Sequence, residues 1–116
     1  MIIAVDFDGT IVEHEFPKIG PAVPGAFEWM KKFQEAGAFL ILWTMRSSGQ
    51  LHGDVLSEAV AYCREQGVEF WDWNTNPHQY TWTTSPKAYA HVYIDDAAIG
   101  CPLLENLVLM SPLLLN

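Results

Sequence analysis

The chain has 116 residues, enough for one domain, and half of them are hydrophobic with only 17% charged, which supports a packed core and excludes extended disorder. Fourteen acidic against six basic residues leave a formal charge of −8, which opposes contact with a polyphosphate backbone and disfavours nucleic acid as a partner. The same acidic excess suits a site built from carboxylates and balanced by a metal ion.

Ile2 to Phe7 (IIAVDF) is an apolar run broken only by Asp6, the pattern of a strand buried on both faces, and Gly9 stops it. Thr10 to Val23 carries Pro17, Gly20 and Pro21 and reads as a loop with room for a short hairpin. A helix starts at Pro24, carries the stripe Phe27, Met30, Phe33 and Ala36, and stops at Gly37. Ala38 to Trp43 is a second buried strand that closes on Thr44, and Ser47 to Gly53 is a polar loop. Val55, Leu56, Ala59, Val60 and Cys63 mark a second helix ended by Gly67, with Cys63 a buried free thiol on its apolar stripe.

Val68 to Trp71 reads as a short third strand, and Asp72 to Ser85 as a loop. Pro86 to Ala90 offers a short helix with proline at its first position. Val92 to Ile94 is a fourth strand ending in Asp95 and Asp96, and Leu107 to Met110 a weak fifth. No apolar run approaches the ~20 residues that span a bilayer. The opening residues lack the basic region of a signal peptide, and Cys63 and Cys101 have no metal-ligand spacing. The expectation is a cytoplasmic protein with no membrane contact.

Strands alternating with amphipathic helices predict an α/β fold, a three-layer, Rossmann-like parallel sheet with helices on both faces. In such sheets ligands sit beyond the carboxyl ends of the strands, near the switch in strand order. The polar residues that interrupt this sequence fall at those ends: Asp6 and Asp8 after strand one, Thr44 and Arg46 after strand two, Asp95 and Asp96 after strand four. Two carboxylates at i and i+2 on a hydrophobic strand are costly to bury unless compensated. A divalent cation compensates them, and carboxylate oxygens completed by water and a substrate phosphate are what Mg2+ prefers. Thr44 and Lys87 add a hydroxyl and a cation suited to phosphoryl oxygens.

These residues resemble the haloacid dehalogenase-like (HAD) superfamily of phosphohydrolases. Its first motif stands here as Asp6-Phe7-Asp8-Gly9-Thr10, and its second as Leu40-Ile41-Leu42-Trp43-Thr44. Its lone lysine matches Lys87, and its acidic pair stands as Tyr93-Ile94-Asp95-Asp96. All four occur in order between Ile2 and Gly100. The resemblance implies a single HAD-like hydrolase domain over residues 1–116. In it Asp6 attacks phosphorus to form an aspartyl-phosphate, and Asp8 is the general acid and then the base. It implies Mg2+ held by Asp6, the Asp8 carbonyl, Asp95 and Asp96, with phosphoryl oxygens bound by Thr44 and Lys87. Asp8 to Pro24 and Trp71 to Lys87 are both too short for an inserted cap domain, so the chain resembles a capless member.

Arg46 lies within reach of a substrate phosphate or base, or else serves a surface salt bridge. Glu13, His14 and Glu15 read as a solvated loop, since adjacent residues point in different directions; His78 and His91 show no partner spacing. Phe70, Trp71, Trp73, Tyr80 and Trp82 read as cover for the core edge or a subunit interface, with a base-stacking platform second. The expected substrate is a small phosphorylated molecule, and a homo-oligomer stays open. Two alternatives stay open. One is a polynucleotide-end phosphatase, favoured by an open site and opposed by the charge. The other is a phosphoacceptor or binding module without turnover, opposed by the order of the motifs.

Overall fold

A computed structural model describes residues 1–49 and 51–98. The fifth strand expected at Leu107 to Met110, and Cys101, lie outside the described residues. The elements run β1 (Ile2–Val5), α1 (Ala26–Glu35), β2 (Phe39–Leu42), α2 (Val55–Glu65), β3 (Asp72–Trp73) and β4 (Val92–Ile94). The four strands form one parallel sheet in the order β3-β2-β1-β4. In register, Val5 lies beside Leu42 on one side and Ile94 on the other, so the strand ends that carry the polar residues are level.

Strand pleating sorts the apolar runs into two faces. Ile3, Val5, Leu40 and Leu42 pack with Ala26 and Met30 of α1 and with Ala59, Val60 and Cys63 of α2. Ala4 and Ile41 face the other way, against Ala90, Trp43 and Trp71. Each fully buried aliphatic side chain in these layers contributes about 1.5–3 kcal/mol. The Cys63 thiol is free and buried, and burial pushes it up to about 12.

Both described helices cover one face, and among the described residues no helix covers the other. The steps from β1 to β2 and from β2 to β3 run in the same direction, and right-handed crossovers put α1 and α2 on the same side. The step from β3 back past β1 to β4 crosses the opposite face, and the chain it uses is irregular. Two buried amides organise that segment. Gln79 donates to the carbonyls of Ser85 and Lys87 (3.1 and 3.0 Å) and accepts from the Tyr89 N–H at 2.7 Å. Asn76 donates to the Tyr89 carbonyl at 2.9 Å and accepts from the His78 N–H. These bonds also explain why Pro86 to Ala90 is not helical: its backbone groups are bound by a glutamine and, at Ala90, by the Tyr93 hydroxyl.

The third strand is shifted from the expected Val68–Trp71. The Val68 N–H folds back onto the Cys63 carbonyl as the exit of α2, and the Glu69 N–H goes to the Gln34 side chain of α1. Val68 is buried as core rather than paired as strand, and the ladder to β2 begins only with the Trp71 N–H on Leu40. The aromatic segment divides accordingly. Phe70 and Trp71 pack on the core, whereas Tyr80 and Trp82 are 63% and 65% exposed. Among the described residues no helix is long and apolar enough to cross a membrane.

Candidate active site

The chain leaves β1 in one direction to build β2 and β3 and in the other to reach β4, so the switch in strand order lies between β1 and β4. Asp6 follows the end of β1 and Asp95 the end of β4, with the Asp6 N–H on the Ile94 carbonyl at 2.8 Å. Asp6, Asp95 and Asp96 each bring a carboxylate oxygen within 4.8 Å of the others. Thr10 ties them together. Its hydroxyl donates to Asp6 Oδ2 (3.1 Å) or Asp96 Oδ1 (3.3 Å), and it accepts the Asp96 N–H at 3.0 Å.

Gly9 completes this junction. It sits at φ 91°, and a Cβ there would collide with the Asp96 carboxylate. Position 9 is thus closed to any side chain on steric grounds as well as by backbone conformation. Crowding three carboxylates has an electrostatic consequence: the Asp6 carboxyl is pushed up from 3.8 to about 7. Burial contributes most, followed by a hydrogen bond with Asp96 and the charge of Asp95, against which the Thr10 hydroxyl works.

This donor set fits a hard divalent cation. It offers three convergent carboxylates, and among the described residues no hydrogen bond is donated to the Asp8 carbonyl oxygen at the same strand end. A cation there would lower the cost that raises Asp6.

The side chain of Asp8 goes elsewhere. Its two oxygens accept from Arg46 Nε (2.7 Å) and Nη2 (2.8 Å) in a bidentate pair. Arg46 was expected to contact substrate or to sit in a surface ion pair; it sits in an ion pair, but a buried one. Its side chain is buried, and its remaining donors reach the carbonyls of Pro17, Lys18 and Val55. No guanidinium N–H is left for a ligand in this arrangement.

Thr44 follows β2 on the same edge of the sheet. Its N–H donates to Asn74 Oδ1 at 2.8 Å and its hydroxyl oxygen accepts from the Arg46 N–H at 3.0 Å. Among the described residues its hydroxyl proton has no protein acceptor, so it is free to donate. The Lys87 ammonium stands 5.4 Å from the Tyr93 ring centre, and among the described residues it forms no ion pair with the carboxylates. The structure thus brings Asp6, Asp95 and Asp96 together, turns Asp8 toward Arg46, and leaves Lys87 apart.

Sequence reading missed two contributors. Thr10 stood in the quoted motif without a role, although a hydroxyl four residues after a strand-end carboxylate is a visible signal. Asn74, at φ 55°, anchors Thr44, and an asparagine in the left-handed region just after a strand is the only local hint of it. His91 Nδ1 accepts the Ile2 N–H at 2.9 Å, and the His78 ring packs edge-on against Trp71.

No protein-family model matches the chain, and no curated protein matches it. Among solved structures, the fold superposes with a TM-score of 0.83 on a conserved protein coded by a locus from Bacteroides thetaiotaomicron. The match is 38% identical in sequence and covers 100% of this chain and 92% of that one. Identity of that order over the whole length is shared descent as well as shared fold, and the chain belongs to the family of that conserved Bacteroides thetaiotaomicron protein.

Proposed function

We propose that the chain is a Mg2+-dependent phosphohydrolase of the HAD-like type, acting on a small phosphomonoester through an aspartyl-phosphate on Asp6. The observation that carries this reading is the convergence of Asp6, Asp95, Asp96 and Thr10 at the switch point between β1 and β4. An exposed surface has many carboxylates, but three crowded at the end of a buried parallel strand carry a cost that a functional role explains.

Asp6, Asp95, Asp96 and the Asp8 carbonyl are the residues that would hold Mg2+, which would supply positive charge against the carboxylates and the phosphoryl oxygens. Asp6 Oδ is the nucleophile. The Asp6–phosphorus bond forms as the bond to the leaving oxygen breaks. Thr10 orients Asp6 through its hydroxyl, and the free Thr44 proton binds a phosphoryl oxygen. Asp8, once it turns from its ion pair with Arg46 and takes up a proton from solvent, gives that proton to the leaving oxygen and recovers one from the water that cleaves the aspartyl-phosphate. Lys87 adds a cation once its flexible stem turns from Tyr93 toward the strand ends. The free thiol of Cys63 is compatible with a reducing compartment such as the cytoplasm.

Phosphate release from an aryl phosphate and a nucleotide panel, with Mg2+ or with chelator, tests the reading. It expects metal-dependent turnover that Asp6→Asn abolishes. Turnover that survives Asp6→Asn, or none with any ester alongside no binding of beryllium fluoride, would overturn it.

A further inference from the structure

We propose that the cleft between the loops that follow β1 and β2 holds the leaving group of the phosphomonoester, and that its lining selects a planar, uncharged ring system. This rests on the phosphohydrolase reading and adds to it a class of substrate.

Phe16, Met45, Ser47, Leu51, His52 and Val55 line the cleft together with two glycines, around a volume of about 220 Å3. Each of these residues lies between the carboxyl end of a strand and the first turn of the helix after it. The cleft therefore belongs to the edge of the sheet where Asp6, Thr44 and Asp95 stand. Its inner wall is tied to the first motif. The Phe16 ring stands 5.2 Å from the Arg46 guanidinium carbon, the Val55 carbonyl accepts from Arg46 Nη1, and Arg46 holds Asp8. Arg46 turns inward to do this, while Met45 and Ser47 on either side of it line the cleft.

The chemistry of the lining decides what fits. Among the described residues it holds no aspartate, glutamate, lysine or arginine, so neither a second phosphate nor an ammonium finds a partner there. Met45 and Leu51 are 98% and 92% exposed, and a ring laid against them removes apolar surface from water on both sides. Phe16 and His52 meet edge to face with ring centres 5.0 Å apart and offer aromatic surface to a planar group. The Met45 thioether adds a polarisable contact with such a ring. A polyol would lose water from its hydroxyls against Met45 and Leu51 without gaining partners from them. The volume is below the roughly 300–1,000 Å3 of sites that enclose a drug-sized ligand, so the cleft takes one ring system and no more.

The test is whether Met45 and Leu51 discriminate between esters. Both are so exposed that serine at either place leaves the fold intact. Wild type, Met45→Ser, Leu51→Ser and the double variant are assayed under Mg2+ with three esters. Naphthyl phosphate and adenosine 5′-phosphate carry a ring system at two distances from phosphorus, and glycerol phosphate carries none. In the double variant KM for at least one ring ester should rise about 10-fold more than KM for glycerol phosphate, while kcat for it stays level. In the wild type, naphthylmethyl phosphonate, which cannot be hydrolysed, should shift the methyl resonance of Met45, identified by its loss in Met45→Ser. An equal rise for all three esters, no rise for either ring ester, or a Met45 resonance unmoved by phosphonate at a concentration that inhibits turnover would overturn the role of the cleft alone. So would a change of oligomeric state in the double variant with every KM unchanged, which would make the cleft a subunit contact. A wild type with no Asp6-dependent turnover of any ester would overturn the phosphohydrolase reading and this inference with it.

Discussion

Asparagine at position 6 should stabilise the metal-free protein at pH 8 and leave it nearly unchanged at pH 4. The folded Asp6 carboxyl takes up its proton near 7 rather than 3.8, so between these values the folded state binds more protons than the unfolded one. Stability from this group is therefore complete below the unfolded value and is lost as pH rises through about 7. At ~1.4 kcal/mol per pH unit the full displacement sets an upper bound of about 4 kcal/mol. Asp6 is only partly buried, and solvent screening reduces this to ~1–2 kcal/mol. Asparagine has the shape of aspartate without its charge and escapes the cost. Urea unfolding in chelator should give a midpoint for Asp6→Asn higher by ~0.5–1 M than wild type at pH 8, with the gap closing at pH 4. Mg2+ at pH 8 should raise the wild-type midpoint and not that of the variant. A variant less stable than wild type at pH 8, or a gap independent of pH, would refute the claim that the cluster strains Asp6.

Gly9→Ala should fold with a lower midpoint and lose the Mg2+ response, because its Cβ displaces the Asp96 carboxylate; a calorimetric titration checks this. Gln79→Ala should cost ~2–4 kcal/mol by leaving two carbonyls and one N–H without their partner. Hydrogen exchange at Tyr89 should accelerate in that variant before any change in β1.

The parts legible in the sequence were those written in local pattern. The strands around Ile2–Val5, Phe39–Leu42 and Val92–Ile94 are uninterrupted apolar runs, and both helices stop at the glycines that end their apolar stripes. Their carboxyl ends put Asp6, Thr44 and Asp95 on the same edge of the sheet, where Asp6 and Asp95 meet. What local pattern missed was decided by distant partners. Val68 looks like a strand residue and is spent on the exit of α2. Pro86 looks like a helix start, yet Gln79 holds the carbonyls a helix would need. Arg46 looks like a surface cation, and nothing near it in sequence reveals a carboxylate 38 positions away. The irregular chain over the second sheet face was illegible for the same reason, since single buried amides organise it.

The most direct test is a single turnover with an aryl phosphate and Mg2+, quenched in acid and mapped by peptide mass. The account predicts a phosphoryl group on the peptide that carries Asp6, labile to hydroxylamine and missing from Asp6→Asn. Complete phosphate release with no phosphoryl group on the chain at any quench time, together with an active Asp6→Asn, would contradict it.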